Sequence, residues 1–320
     1  MKLVSCFLLA AALPLCAQVK ITQHSDRISI DIDGKPFSDL FVSAQVNKPY
    51  MAPLRAASGK IVTRAYPMDT VEGESKDHPH HRGLWFSHGD VNGYDFWGNE
   101  PSQDNGKKGK IVLKKIDDIK SGKKSGSIAA TFDWVDPTGK TVLTESRTTV
   151  FYSNPTMRIM DFDINLKALE KAKFGDTKEG TFAIRLASGL EEPQKKSPPK
   201  PPRTGLMVSS TGGKGESQVW GKRAEWVDYA GEIDGEKLGI AIFDNPANPK
   251  HPTYWHSRSY GLFAANVFGE HDYYNDKSRD GSITVQPGES LRFRYRVVIH
   301  PGDYQTANIA AMYKKYSESK

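Results

Sequence analysis

Between residues 111 and 166 apolar and polar positions alternate more regularly than anywhere else in the chain. The period of two predicts strands at 111–120, 127–135, 141–152 and 156–166, separated by the turn formers Ser121-Gly122, Asp136-Pro137-Thr138-Gly139 and Ser153-Asn154-Pro155. Together these form an antiparallel meander. Arg27-Ile28-Ser29-Ile30-Asp31-Ile32 repeats the pattern, and Asp33-Gly34 predicts a hairpin into a return strand from Pro36-Phe37. Further strands are predicted at 181–187, 205–210, 226–230, 238–243, 260–267, 282–286 and 291–299, with Asp234-Gly235 and Pro287-Gly288 among the turns. A helical period occurs only over 305–317, where Ile309, Met312, Tyr313 and Tyr316 share a face. Many strands, one late helix and no strand–helix alternation predict an all-β fold, two antiparallel sheets packed as a β-sandwich with a short C-terminal helix.

The remaining segments set the boundaries. Residues 41–76 hold Pro49, Pro53 and Pro67 among short apolar pieces and read as irregular loop. The Pro-rich run at 191–204 reads as an extended, solvated surface loop rather than a linker, because strands of the same kind continue on both sides. One domain over 18–320 is therefore expected. Residues 1–17 have the form of a secretory signal peptide, with Lys2, an apolar stretch from Leu3 to Leu15 and Cys16-Ala17-Gln18 at the cleavage region. Lipidation of Cys16 is the rival reading, disfavoured by the bulky Leu15 before it. The expected location is the periplasm or the exterior.

Both cysteines, Cys6 and Cys16, fall within this leader, so the mature chain has no thiol chemistry and no disulfide. The formal charge is +6. Much of the excess is Lys107, Lys108, Lys110, Lys114, Lys115, Lys120, Lys123 and Lys124, a solvated hairpin edge without interleaved aromatics, which argues against a nucleic-acid partner. No later run approaches the ~20 apolar residues that a membrane span needs.

Candidate chemistry centres on Asp77-His78-Pro79-His80-His81-Arg82-Gly83-Leu84-Trp85-Phe86-Ser87-His88-Gly89-Asp90, which holds four of the nine histidines. Pro79 disfavours helix, so the run should be extended, with His78 and His80 on one side and His81 on the other. Unpartnered burial of such groups costs about 2 kcal/mol or more each, so a site is the better explanation.

Three further segments are equally dense in functional residue types. Residues 174–185 include Asp176, Lys178, Glu179 and Arg185, where a carboxylate near cations suits general acid–base work, or forms an acidic surface turn. Trp220 to Tyr229 alternates aromatic and charged residues, a pattern that fits a carbohydrate groove or an ordinary sheet core. Residues 251–262 include His256 and Arg258, which share a face if the segment is a strand.

The motifs at 77–90, Asp95-Phe96-Trp97, 176–180, Trp226-Val227-Asp228-Tyr229, Ile240-Ala241-Ile242-Phe243-Asp244 and 255–261 resemble a family of secreted bacterial proteins of uncharacterised function known as methane oxygenase PmoA. The resemblance runs from about Pro49 to Pro301. It implies a sandwich similar to the galactose-mutarotase-like supersandwich, a scaffold frequent among carbohydrate-active enzymes. Membrane methane oxidation itself is excluded, since it needs several hydrophobic spans and the mean hydropathy here is −0.56.

The leading expectation is a carbohydrate-active enzyme acting on a glycoside or sugar derivative, small or oligomeric, by hydrolysis, elimination or epimerisation. His80, His81, Glu179 and His256 are the candidates for proton transfer. Arg82, Arg185, Arg258 and Asp176 would bind substrate, and Trp85 and Trp97 would stack on the ring. A second expectation is a divalent-metal enzyme with ligands drawn from His78, His80, His81 and His88, joined by an aspartate or His256; a third is a non-catalytic glycan-binding module.

Overall fold

Side-chain parity sorts each strand into two faces, and the faces turned toward each other are mainly apolar, with the buried Glu145–Arg147 pair of residues 141–152 an exception. The computed structural model describes residues 18–195 and 201–318. The expected leader at 1–17 and residues 196–200 of the Pro-rich run lie outside the described residues.

β1 (Val19–Gln23), β2 (Arg27–Ile32), β3 (Lys35–Phe41), β4 (Tyr50–Ala52) and β5 (Leu84–His88) lie side by side in the first sheet. β6 (Lys110–Lys120), β7 (Ser125–Val135), β8 (Thr141–Tyr152) and β9 (Arg158–Ala168) form the expected meander in the second. After the short β10 (Ala172–Phe174), β11 (Gly180–Arg185) returns to the first sheet, while β12 (Leu206–Ser209), β13 (Trp226–Ile233) and β14 (Glu236–Asp244) extend the second. β15 (Tyr254–Trp255) and β16 (Leu262–Asn266) complete the first sheet, β17 (Ile283–Val285) pairs with β10, and β18 (Ser290–Pro301) inserts between β14 and β9. The orders are β1-β2-β3-β4-β5-β11-β16-β15 and β12-β13-β14-β18-β9-β8-β7-β6. Every pairing is antiparallel.

The sheets meet through aromatic residues. Phe182 of β11 stacks on Tyr295 of β18 at 4.5 Å and meets Phe162 of β9 at 4.9 Å. Phe86 of β5 approaches Phe293 at 5.5 Å, and Phe37 of β3 approaches Phe151 at 6.3 Å. Burying each of these side chains contributes roughly 1.5–3 kcal/mol.

The C-terminal helix runs Ile309–Glu318 and lays Ile309, Tyr313 and Tyr316 on Trp226, Ala241, Phe243 and Val298, so it covers the outer face of the second sheet. That accounts for the single helical period. It also places Trp226 under the helix and Tyr229 in the main core, so neither belongs to a carbohydrate groove.

β6 is an edge strand, and its exposed lysines and two register irregularities protect the free edge from pairing with another chain. The Pro-rich run departs from expectation at its ends. Glu191 and Arg203 are buried and paired at 3.3 Å, and Arg203 also donates to Gly73 O, so the fold pins both flanks of a segment read as solvated. Among the described residues no helix is long and apolar enough to cross a membrane.

Candidate active site

Over β4, β5, β11 and β16 the outer face of the first sheet is as buried as its core face. Register aligns Tyr50 of β4, Trp85 of β5, Ala183 of β11 and Ala264 of β16 across it, and these pack with Ala52, Trp97 and Leu262 as a separate cluster. Two alanines in mid-sheet leave room above them, which the histidine stretch, Trp97 and Tyr260 fill.

Gly83 starts the geometry. Its φ is +52°, and a Cβ there would meet Met51 O at 2.0 Å, so only glycine lets the chain enter β5 so close to β4. Before it, residues 75–81 wrap around the buried Arg64 guanidinium, which donates to Ser75 O, Asp77 O, His78 O and His81 O and to Asp77 Oδ1 at 2.6 Å. One cation thus collects the free carbonyls of an irregular loop. Burial and the neighbouring Arg185 lower its pKa to about 10, against the pull of Asp77.

The wrap changes the expected facing of the histidines. His78 has a φ of +43° and its carbonyl accepts from His81 N at 3.0 Å, so the run turns instead of extending. His78 and His81 therefore stack on one another, with rings 4.8 Å apart and 5° from parallel, and His80 meets His81 edge-on at 4.4 Å. The stack continues to Tyr260 on one side of His78, at 5.5 Å, and to Trp85 beside His81, at 5.1 Å.

Arg185, fully buried at the end of β11, joins the parts. Its Nη2 lies 2.9 Å from Asp77 Oδ1, its Nη1 lies 3.2 Å from His81 Nδ1, and its guanidinium sits over the Tyr260 ring at 4.8 Å. Because arginine can only donate, His81 Nδ1 is an acceptor and the neutral ring carries its proton on Nε2. Burial, then His80 and Arg185, hold His81 well below the usual imidazole range. Asp77 is pushed up by burial, but the bond from His78 and the charges of Arg185 and Arg64 outweigh this and hold it well below the usual carboxylate range.

Tyr260 leads on to the 251–262 segment. Arg258 lies over Tyr260 at 5.8 Å and Trp220 at 5.5 Å and pairs with Glu216 at 2.9 Å. Trp220 Nε1 donates to His256 Nδ1 at 3.0 Å, so His256 too is held as the Nε2–H tautomer. Burial, then Arg258, lowers its pKa to about 3. His81, Arg185, Tyr260, Arg258, Trp220 and His256 thus form one continuous chain of contacts.

Several residues are placed otherwise than expected. His88 points to the core side of β5, between Phe174 and Phe268, with Nε2 2.9 Å from Gly175 O, because it is three residues from Trp85 in an alternating strand. Asp176 accepts from Gly281 N and His271 N and braces the 271–281 segment. Arg82 forms a fork with Glu100 at 2.7 Å and covers the Tyr50 ring, so its donors are engaged beside the site. Glu179 is half-exposed and pairs with Lys178 at 3.2 Å. Its charge reaches the Tyr260 and Tyr273 hydroxyls, which places it at the margin. Trp85 and Trp97 are fully buried and so are not open stacking platforms.

Other contributors were not singled out from sequence. Lys48, wholly buried, donates to Trp97 O and Asn99 Oδ1 at 2.8 Å and so anchors the strap that carries Trp97; burial lowers its pKa to about 7. Glu191 lies buried within the field of Arg185, raised by burial against the pull of Arg185 and Arg203. Its position next to Pro193 gave no sign of this.

For a metal the fit is poor. Parallel stacking of His78 and His81 keeps their nitrogens from converging, and among the described residues no three His, Cys, Asp or Glu side chains gather as a metal-binding group.

A galactose mutarotase-like protein from Clostridium acetobutylicum superimposes with a TM-score of 0.43 at 10% identity, over 88% of this chain and 98% of that one. Galactose 1-epimerase from Lactobacillus acidophilus gives 0.42 at 9%, over 89% and 98%. An α-galactosidase from Lactobacillus brevis gives 0.41 at 8%, over 90% of this chain and 40% of that one, so the chain spans about two fifths of that enzyme's length. No curated protein matches the sequence. A family of unknown function, DUF6807, matches over residues 27–314, and the chain belongs to it.

Proposed function

We propose that the chain is a carbohydrate-active enzyme that acts on a glycoside or sugar derivative by histidine–carboxylate acid–base chemistry, on the outer face of the first sheet. The observation that carries this reading is the Asp77–His78 pair beside a set of unsatisfied donors. His78 is the half-exposed ring of the stack, and its Nδ1 lies 3.1 Å from Asp77 Oδ2, so a carboxylate fixed by two arginines orients a solvent-accessible imidazole. That is the arrangement of a general acid or base. His81, neutral with its proton on Nε2, is a hydrogen-bond donor toward a developing oxyanion rather than a base. This reading assigns proton transfer to His78 rather than to His80, His81, Glu179 and His256, the candidates expected from the sequence. Hydrolysis, elimination and epimerisation all require such a proton carrier next to an oxygen-binding donor.

Turnover of a panel of glycosides and oxidised sugars, followed with wild type and His78→Ala, tests the proposal. The ring is half-exposed and stacks on His81 and Tyr260, so the substitution should lower the unfolding midpoint only slightly while turnover falls about 10²–10⁴-fold. Unchanged turnover would remove His78 from the mechanism; binding without turnover would make the chain a glycan-binding module.

We also propose export, by way of the leader at 1–17. Intact mass of the protein from a periplasmic extract should correspond to a start at Gln18. A diacyl or triacyl mass on Cys16 would show an anchored lipoprotein instead.

A further inference from the structure

Beside the unpartnered His80 Nδ1, three buried ring donors on the outer face of the first sheet lack a hydrogen-bond partner among the described residues: His81 Nε2, Trp85 Nε1 and Trp97 Nε1. Their rings lie 5.0–5.8 Å from one another. Arg185 Nε, in the same cluster, also lacks a partner. All four atoms are donors. The indoles cannot accept, the guanidinium cannot accept, and the bond from Arg185 to His81 Nδ1 leaves the His81 proton on Nε2. Buried polar atoms are nearly always satisfied, so four donors set against the unpartnered His80 Nδ1 and the dual-role Ser87 Oγ mark the place of a missing acceptor.

Arg64 and Arg185 share Asp77, and the Glu74 carboxylate acts on both, so the two arginines beside the donors are matched by two carboxylates. The neighbouring Arg258 and Arg203 are balanced by Glu216 and Glu191. A neutral sugar offers hydroxyls, each both donor and acceptor, and would find fewer acceptors than donors here for its own protons. A carboxylate offers acceptors only.

We infer that the ligand of this face is an acidic sugar, a uronate or aldonate, whose carboxylate is received by His81, Trp85, Trp97 and Arg185. The inference rests on the proposed carbohydrate activity and narrows its substrate class. The half-exposed His78 ring covers one face of His81, so the carboxylate reaches these donors past His78. That route brings the sugar ring alongside the Asp77–His78 pair.

Calorimetric titration of the wild-type chain with matched probes tests it: galactose against galacturonate, glucose against glucuronate and gluconate, with acetate and succinate as carboxylates that are not sugars. The acidic sugar should bind at least about ten-fold more tightly than its neutral partner, the difference expected from charge-assisted bonds. Trp97→Phe, which keeps a ring and removes one N–H, should weaken the acidic sugar about ten-fold and leave the neutral one unchanged. Equal or tighter binding of the neutral partner overturns the inference and leaves the carbohydrate reading intact. Binding of acetate or succinate without any sugar overturns the carbohydrate reading and keeps the anion site. Binding of none of the probes overturns both.

Discussion

Between pH 7 and pH 5 the folded protein should lose several kcal/mol of stability, because four buried imidazoles refuse protons that the unfolded chain accepts. Burial, then Lys48, lowers His80 to about 2. Burial, then Arg258, lowers His256 to about 3, and burial lowers His88 to about 4 against its bond to Gly175 O. His81 is held well below the ordinary range by burial and by His80 and Arg185. In the unfolded chain each titrates near 6.5. Below that pH the unfolded state binds protons and the folded state does not, so stability is fully present above about 6.5 and falls until the folded groups titrate. Each imidazole accounts for about 1.4 kcal/mol per pH unit, or roughly 2 kcal/mol between pH 7 and pH 5.

Buried carboxylates act in the opposite direction. Glu191, Asp228 and Asp244 are raised by burial, so the folded protein takes up their protons more readily and regains part of the loss as the pH falls. Asp77 is held low overall, so its contribution persists above its unfolded value of about 3.8 and lies outside the window. Urea midpoints at pH 7, 6 and 5 measure the slope. His88→Gln keeps a donor for Gly175 O and should reduce the slope by one imidazole's share, about 1.4 kcal/mol per pH unit. A stability that is flat from pH 7 to pH 5 would show that these rings are not held neutral.

How far such a site can be read from sequence depends on whether its cause is local. The meander was legible because each strand from Thr141 to Ala168 alternates against a half-polar partner, and the helix because Ile309, Tyr313 and Tyr316 fall on one face. The histidine stretch was legible as chemistry, but the facing of its rings was not. That depends on the left-handed turn at His78, and the turn is held by carbonyl bonds to Arg64, a residue in a loop with no periodicity. His88 was within reach of a local argument, since the parity of Leu84, Trp85 and Phe86 already assigns it to the core side. Glu191 was not, because adjacent prolines signalled solvent while Arg203, Arg185 and the sheet edge supply the burial. Pairings that run through a single long-range cation leave no trace in periodicity.

Arg185 is such a cation, and Arg185→Met should cost about 3 kcal/mol of stability, near the lower end for breaking a buried pair. The cost is limited because Asp77 keeps Arg64 at 2.6 Å and is itself half-exposed. It is not negligible, because the Tyr260 ring loses the nearer of its two cations and His81 Nδ1 loses its donor. The last effect matters more for function. Without the bond to Nδ1 the His81 proton is free to occupy either nitrogen, so the Nε2–H donor is present only part of the time. Arg185→Lys retains the charge near Asp77 but cannot hold Asp77 and His81 in one planar fork, so it should recover part of the stability without restoring the tautomer. Nitrogen chemical shifts of His81 report the tautomer directly, and urea unfolding reports the stability. If both variants match wild type in stability and keep the His81 proton on Nε2, Arg185 does not organise this face, and the donor set must be held by the stack of His78, His81 and Trp85 alone.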